Sequence, residues 1–492
     1  MGAPSFIKKD IKRALERLDF DKILPIIDAC YSRCPRGRQR QSIALLLKSL
    51  VFMQLSEERS INKWAQMLRE SEKKAQLIGY RCARETPAAS TYYAFIYRIF
   101  DYYERLSSGG EGRPSDMYRL RAVQRRELVS GRSLRKQKEQ ESGQKQRRPE
   151  GVTDQKLEEV ARWRGAPVDF VQMVNRVLLE VMRQSLEMGV LEAKDLALCV
   201  DGSLYQSQAN GEGRRRCGCA DLSCKCTRAY GDPTAGWGYS KSKDEYVFGH
   251  RVSAMVARGG GSVELPVQVL VSPPHVGEEP LCLEGLARLW HERLGLRLGG
   301  RKAIPAEYLV ADLGYCGAAI HQGVQGFGLK PVIPLLSVSR LKGAEGNGCT
   351  VGEDRVPRCP SGQPMKVHFG SVLRGFCFRC PARQGRRGPD GKLIYVVNPS
   401  LCALPVMCDS TSSIGPTFYM KPGSYERLNP EIPRDSPLFK EVYARRGCVE
   451  RFFSRLKCSG GAVQTRRLPV LQFMAVIRAI ACHVQAWDRL LV

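Results

Sequence analysis

Residues Tyr443 to Lys457 read YARRGCVERFFSRLK. Tyr443, Arg446, Glu450 and Lys457 are spaced three, four and seven residues apart, so on one helix, at about 100° per residue, they share roughly 60° of arc. Val442, Val449, Phe452, Phe453 and Leu456 fill the adjoining arc. Such a helix rests an apolar face on a core and turns a stripe of one acid, two cations and a phenol toward something beside that core. Amphipathicity accounts for the apolar arc. It gives no reason for a single carboxylate among Arg445, Arg446, Arg451, Arg455 and Lys457.

Two more acids follow apolar runs earlier in the chain. Leu196, Ala197, Leu198, Cys199 and Val200 end in Asp201-Gly202-Ser203, as expected of a central strand covered on both faces. Tyr246 to Val256 alternates, and Val263 to Val271 follows the turn Gly259 to Gly261, which makes an antiparallel meander with the first strand. A helix over Leu281 to Leu296 leads to Tyr308–Ala311, a second apolar strand ending in Asp312; a helix over Cys316 to Val324 and a strand over Pro331 to Leu336 come next. Strand, strand, strand, helix, strand, helix, strand is the order of an α/β, ribonuclease H-like domain, a mixed sheet flanked by helices. In that fold the strand-ending acids and the acid of a packed helix converge.

The balance of 77 Lys+Arg against 50 Asp+Glu, a formal charge of +27, points to a polyanionic partner, with nucleic acid favoured over membrane. No apolar run approaches the roughly 18 to 20 residues of a spanning helix, since Lys48 and Ser49 interrupt Leu45–Leu55. The opening MGAPSFIKKDIK lacks a signal peptide's apolar region and Phe6 breaks the myristoylation pattern, so an intracellular protein is expected. Its 19 cysteines then read as thiols and metal ligands.

The organisation expected is a helical, DNA-binding domain over 1–106, with Lys8, Lys9, Arg13, Arg36, Arg38 and Arg40 among its cations. A basic, disordered linker over 107–160 follows, then the first part of the catalytic domain over 161–336. A cysteine-containing, β-rich insertion occupies 337–436, and C-terminal catalytic helices close the chain over 437–492. Further helices are expected over Pro167–Met188 and Pro469–Leu491.

Y-x2-R-x3-E-x6-K resembles, position for position, the signature of a large group of bacterial insertion-sequence transposases of the DDE type. The strand-ending Asp201 with Gly202, the segment DPTAGWGYSKSKDEYVFGH from Asp232 to His250, and the DLGY of Asp312–Tyr315 extend the resemblance over residues 190 to the end. The resemblance implies DNA strand cleavage and strand transfer at the ends of an insertion sequence. Asp201, Asp312 and Glu450 would be the catalytic, metal-binding carboxylates, with Asp201 bridging two Mg2+ ions and Mn2+ able to substitute. Tyr443, Arg446 and Lys457 would contact DNA phosphates. It also implies double-stranded transposon ends and target DNA as partners, at least a homodimer in the DNA complex, and a bacterial, nucleoid-associated, cytoplasmic setting. Two carboxylate-bound ions suit in-line attack on an anionic phosphorus, and hard cations want oxygen ligands.

Two cysteine clusters offer tetrahedral zinc sites of a structural kind: Cys217, Cys219, Cys224 and Cys226, and Cys359, Cys377, Cys380 and Cys402, with Cys349 and Cys408 as substitutes. His250 is expected near the active site. Two rivals stay open, an inactive transposase-derived DNA-binding protein and a nuclease without strand transfer. A zinc-dependent hydrolase would need His or carboxylate ligands beside the thiols, and none is apparent.

Overall fold

The computed structural model describes residues 13–490 apart from 14, 32–40, 108–168, 193–194, 216, 221–227, 233, 241–243, 260, 262, 296–305, 335–348, 352–356, 372–374, 399, 403–412, 421–431, 433, 435 and 459–467. The linker expected over 107–160 therefore falls almost wholly outside the described residues, as do Lys8, Lys9, Arg36, Arg38, Arg40, Cys224, Cys226 and Cys408. The chain forms two compact units, Met1–Glu307 with Arg446–Val492, and Tyr308–Arg445.

The first unit opens with helices α1 (Phe20–Asp28), α2 (Ile43–Leu55), α3 (Ile61–Arg69), α4 (Glu72–Ile78), α5 (Ala89–Ser107) and α6 (Phe170–Glu187). Ser42, Ser60 and Ser71 stand at the N-caps of α2, α3 and α4, where each hydroxyl accepts from a first-turn N–H. Gly79, at φ +115°, ends α4 in the left-handed conformation that glycine alone adopts without strain. Inside this group Trp64 Nε1 donates to Ser49 Oγ at 3.0 Å, and Ser49 meets the Tyr92 hydroxyl at 2.5 Å.

Strands β1 (Leu196–Gln206), β2 (Arg214–Arg215), β3 (Arg228–Ala229), β4 (Gly236–Ser240), β5 (Glu245–Arg258) and β6 (Glu264–Ser272) come next, then α7 (Glu278–Gly295). β5 is the spine: it pairs antiparallel with β1 through Asp201↔Ala254 and Tyr205↔His250, and its other edge takes β4 and then β6. The meander of β1, β5 and β6 is as expected. β4 adds a strand that the sequence pattern hides, because GWGYS has only five residues and two are glycine.

In the second unit β7 (Ala306–Val310) and β8 (Lys330–Val332) pair in parallel, with α8 (Ala318–Gly326) between them in sequence. The unit continues in short strands: β9 (Thr350–Val351), β10 (Pro357–Arg358), β11 (Lys366–Ser371), β12 (Gly375–Arg379), β13 (Arg383–Arg387), β14 (Leu393–Val397) and β15 (Thr417–Met420), and it ends in α9 (Pro437–Ala444). β11, β12 and β15 form one antiparallel sheet and β13–β14 a hairpin.

The chain returns to the first unit with α10 (Gly447–Cys458) and α11 (Leu468–Leu490). By length and composition α11 could cross a membrane, with a mean hydropathy of 1.4 over Leu468–Arg489, which corrects the expectation that no such run exists. That stretch is 94% buried in protein. The N-terminal helices, expected as a domain of their own, pack on it and on α6: Phe95 meets Phe473 at 5.7 Å, Phe100 meets Phe170 at 5.3 Å, and Arg478 donates to the Gln54 carbonyl at 2.8 Å. α6 and α11 also cover the outer edge of β6. Asn175 exchanges hydrogen bonds with the Val269 backbone at 2.9 and 3.0 Å, Gln472 takes Val269 O and Val271 N at 2.7 Å, and His483 meets Pro266 O at 2.8 Å. Buried amides thus do for this edge what another strand would do.

The fold is mixed α/β, with antiparallel and parallel strand pairs and helices packed on them.

Candidate active site

β1 supplies the first acid. Leu196 to Val200 are buried, and Asp201 follows them in mid-strand, since β1 runs on to Gln206 rather than ending at Asp201–Ser203 as expected; its side chain is 19% exposed. Asp201 Oδ1 accepts from the Gly202 N–H at 2.8 Å. On the opposite face Gly202 leaves room for Glu278 at the start of α7, which a Cβ there would approach to 3.2 Å, and Glu278 is ion-paired with Arg251.

The expected single helix over Tyr443–Lys457 forms as two. α9 stops at Ala444, Arg445 and Arg446 turn, and α10 starts at Gly447; the Arg446 carbonyl accepts from Val449 N at 3.1 Å. Glycine inside a helix costs about 1 kcal/mol, so a break at Gly447 is cheap. The stripe is thereby divided. Tyr443 belongs to α9 of the second unit, half-buried and stacked on Phe439 at 5.7 Å. Arg446, Glu450 and Lys457 stay with the first.

Val449, Phe452, Phe453 and Leu456 are buried as expected and seat α10 on β1, β5 and β6, with Cys448 Sγ at 4.0 Å from the Val256 carbonyl. The seat is pinned at Glu264, 8% exposed, by Arg451 at 2.7 Å, by Arg455, and by Arg258 at 3.9 Å. Hydrogen bonding to Glu264 raises the Arg451 pKa.

This docking brings Arg446, 245 residues from Asp201 in sequence, onto Asp201 and Glu450, the two candidate acids carried by the first unit. Its Nη1 donates to Glu450 Oε1 at 2.7 Å and its Nη2 to Asp201 Oδ2 at 3.3 Å. Glu450 lies in the first turn of α10, where the helix dipole favours an anion, and is 55% exposed. Lys457, exposed in the last turn, stands over the Tyr205 ring at 5.8 Å from its centroid. Sequence reasoning passed over Tyr205 and Glu264. For Tyr205 a signal existed, since it sits four residues after Asp201 and so on the same strand face.

Asp312 is carried by the second unit. It follows the buried run Tyr308–Ala311, is half-buried, and caps the turn Leu313–Tyr315 by accepting from Gly314 N at 2.8 Å. His250 is 2% exposed and belongs to a buried network on β5: Thr234 Oγ1 lies 3.1 Å from its Nε2 and donates to Asp232 Oδ1 at 2.6 Å, while Ser207 Oγ donates to Asp232 Oδ2 at 3.0 Å.

Among the described residues no group of three or more His, Cys, Asp and Glu side chains is arranged to hold a metal ion. Of the thiols expected at the second zinc site, Cys359, Cys377 and Cys380 are buried and Cys402 is half-buried. Cys377 lies across from Phe369 and Tyr419 on β12, whereas Phe378 turns to the other face and packs on Cys359, Cys349 and Phe418. Cys359 and Cys402 do share Ser361 Oγ, at 3.0 and 3.9 Å. Of the first cluster Cys217 and Cys219 are described, on the loop joining β2 to β3, which pair with each other. The donor chemistry of Asp201 and Glu450 does fit a metal: both are carboxylates open in part to solvent, the oxygen donors a hard divalent cation takes.

No curated protein matches the sequence. The family described as "Transposase DDE domain" matches residues 193–482, more than half of the 492-residue chain and a span that holds Asp201, Asp312 and Glu450. With Asp201 on β1, Glu450 on the helix packed against that strand, and that match across them, the chain belongs to the transposase DDE domain family, enzymes that cut and transfer DNA strands.

Proposed function

We propose that this chain is an insertion-sequence transposase of the bacterial group marked by Y-x2-R-x3-E-x6-K, cutting and joining DNA strands at the ends of its element through a ribonuclease H-like domain. The observation that carries the reading is the meeting of Asp201 and Glu450, from opposite ends of the family match, on one Arg446 guanidinium.

Asp201, Asp312 and Glu450 are the carboxylates that would hold two Mg2+ ions, or Mn2+ in their place. Bound there, the ions supply activation of the attacking oxygen and stabilisation of the leaving one. Arg446 presents a planar guanidinium that matches two phosphate oxygens as well as it matches carboxylates, and Lys457 adds a compact charge further along α10. Tyr443 offers a phenol to the same backbone. The formal +27 charge draws in the duplex, and holding two element ends calls for at least two protomers.

The test is Asp201→Asn, Asp312→Asn and Glu450→Gln, assayed with Mg2+ on DNA carrying the element's own terminal repeats. Each variant should lose cleavage by a thousandfold or more, on the order of 4 kcal/mol, while still binding the ends. Wild-type activity in any of the three would remove that residue from the site. Pre-cleaved ends then separate a transposase, which joins them to target DNA, from a nuclease, which leaves them unjoined.

A further inference from the structure

Tyr205 is used by none of the chemistry above. It leaves the same face of β1 as Asp201, roughly 13 Å further along the strand. It is 5% exposed, and its hydroxyl finds no hydrogen-bond partner among the described residues. Burial pushes the phenol above its ordinary pKa. The ring is therefore the part of this side chain with a contact to explain, and over it stands the Lys457 ammonium, 5.8 Å from the centroid.

α10 thus meets β1 at two places. Arg446 and Glu450 meet it at Asp201, and Lys457 meets it at Tyr205. Glu450 and Lys457 are separated by roughly 10 Å of helix, close to the strand distance between Asp201 and Tyr205, so helix and strand run in step along this face.

The frame behind Tyr205 is stiff. A Cβ at Gly249 would lie 1.8 Å from the Tyr205 carbonyl oxygen, so the β5 backbone closes directly on it. The cross-strand neighbour of Tyr205 is His250, held in the buried network with Thr234, and Ser207, two residues on, donates into that network at Asp232.

We propose that Tyr205 is a positioning residue whose ring face fixes the Lys457 ammonium at a set distance from the Asp201–Glu450 pair. A DNA phosphate met by Lys457 is then held in register with the phosphate at the acids. A lysine on an open helix end samples many rotamers, and an aromatic face beneath the ammonium narrows them. The inference rests on the reading that Lys457 meets DNA phosphate.

The experiment measures binding of a fluorescently labelled mixed-sequence duplex by the full-length protein across a salt series, with thermal midpoints taken alongside. Lys457→Met should weaken binding about tenfold and flatten the slope of log K against log salt by about 0.9, the loss of one phosphate contact. Tyr205→Leu should weaken it about two- to fivefold. Tyr205→Phe, which keeps the ring and drops the hydroxyl, should bind as the parent does, with an equal or higher midpoint.

The double variant Tyr205→Leu/Lys457→Met should bind no more weakly than Lys457→Met alone. Tyr205→Met, which fills the volume without a ring, goes through the same cycle in case leucine fails to fold. Parental binding by both ringless variants, or additive losses in the double variant, would overturn the role of Tyr205 while leaving Lys457 in place. An unchanged affinity and slope for Lys457→Met would overturn the phosphate contact, and the inference with it.

Discussion

Helix α10 carries two arginine–carboxylate clusters little more than a helical turn apart, and they are built to opposite proportions. At its start, one guanidinium is shared by two acids, Asp201 and Glu450, both partly open to solvent. Further along, one nearly buried acid, Glu264, is surrounded by Arg258, Arg451 and Arg455. The Glu264 cluster has its carboxylate over-provided with donors, and it works as a lock between α10 and the first residue of β6. In the Asp201 cluster the described ion pairs set two carboxylates on one guanidinium, and both acids are oxygen donors of the kind a divalent ion takes. Counting which charge is in excess, and how open it is, separates a lock from a site better than the number of ion pairs does.

The largest difference expected between the two clusters is in activity. Asp201→Asn or Glu450→Gln should remove cleavage by a thousandfold or more and shift the unfolding free energy by no more than about 1 kcal/mol, checked by cleavage assay and urea melts on the same preparation. Destabilisation without loss of turnover would reverse the distinction.

The next effect comes from β6, where Glu264 sits, and is read on the pH axis. His483 is fully buried between Ser185 Oγ and Pro266 O, both at 2.8 Å, and burial lowers its pKa from 6.5 to about 4. A depressed histidine is neutral when folded, so its contribution is complete above pH 6.5 and is lost as pH falls toward 4, because the unfolded chain takes the proton first. Stability should drop across that window by about 3 kcal/mol at most. His483→Gln should flatten that part of a chemical-denaturation series run against pH. An unchanged pH profile would show that this edge of β6 is not closed by the histidine.

Breaking the lock itself comes third. Glu264→Gln leaves three arginines facing a neutral amide; with Arg451 51% and Arg455 39% exposed, solvent screens much of the repulsion, and a loss of about 2 kcal/mol is expected. End binding should survive, since the Asp201 cluster does not depend on that carboxylate. The smallest effect is at Ser436, whose side chain accepts from Phe439 N at 3.1 Å and caps α9, the helix of Tyr443. Ser436→Ala should cost about 1 kcal/mol in a denaturant melt.

Much of this was legible beforehand, for local reasons. The apolar run Leu196–Val200 reads as a covered strand and is one, with Asp201 where its burial ends, although the strand itself continues to Gln206. The period of α10 placed Val449, Phe452, Phe453 and Leu456 in the core correctly. Other parts were not legible. Helical spacing runs without interruption through Tyr443 and Glu450, yet the chain breaks at Arg445–Arg446, ahead of Gly447, where leaving the helix costs little. The hydropathy of α11 is that of a spanning helix, and its burial depends on β6, α2, α5 and α6 being there to cover it.

By itself, then, the sequence determined which acids follow apolar runs, which helix face is apolar, and that the whole chain is cationic. These are properties of neighbours within a turn or a pleat. Tertiary structure alone decided that Arg446 holds Asp201 to Glu450, that Glu264 is a lock, and that Lys457 rests on Tyr205. Each of those depends on where α10 lands on β1 and β6, and that landing is set by the summed burial of a whole face rather than by any local pattern.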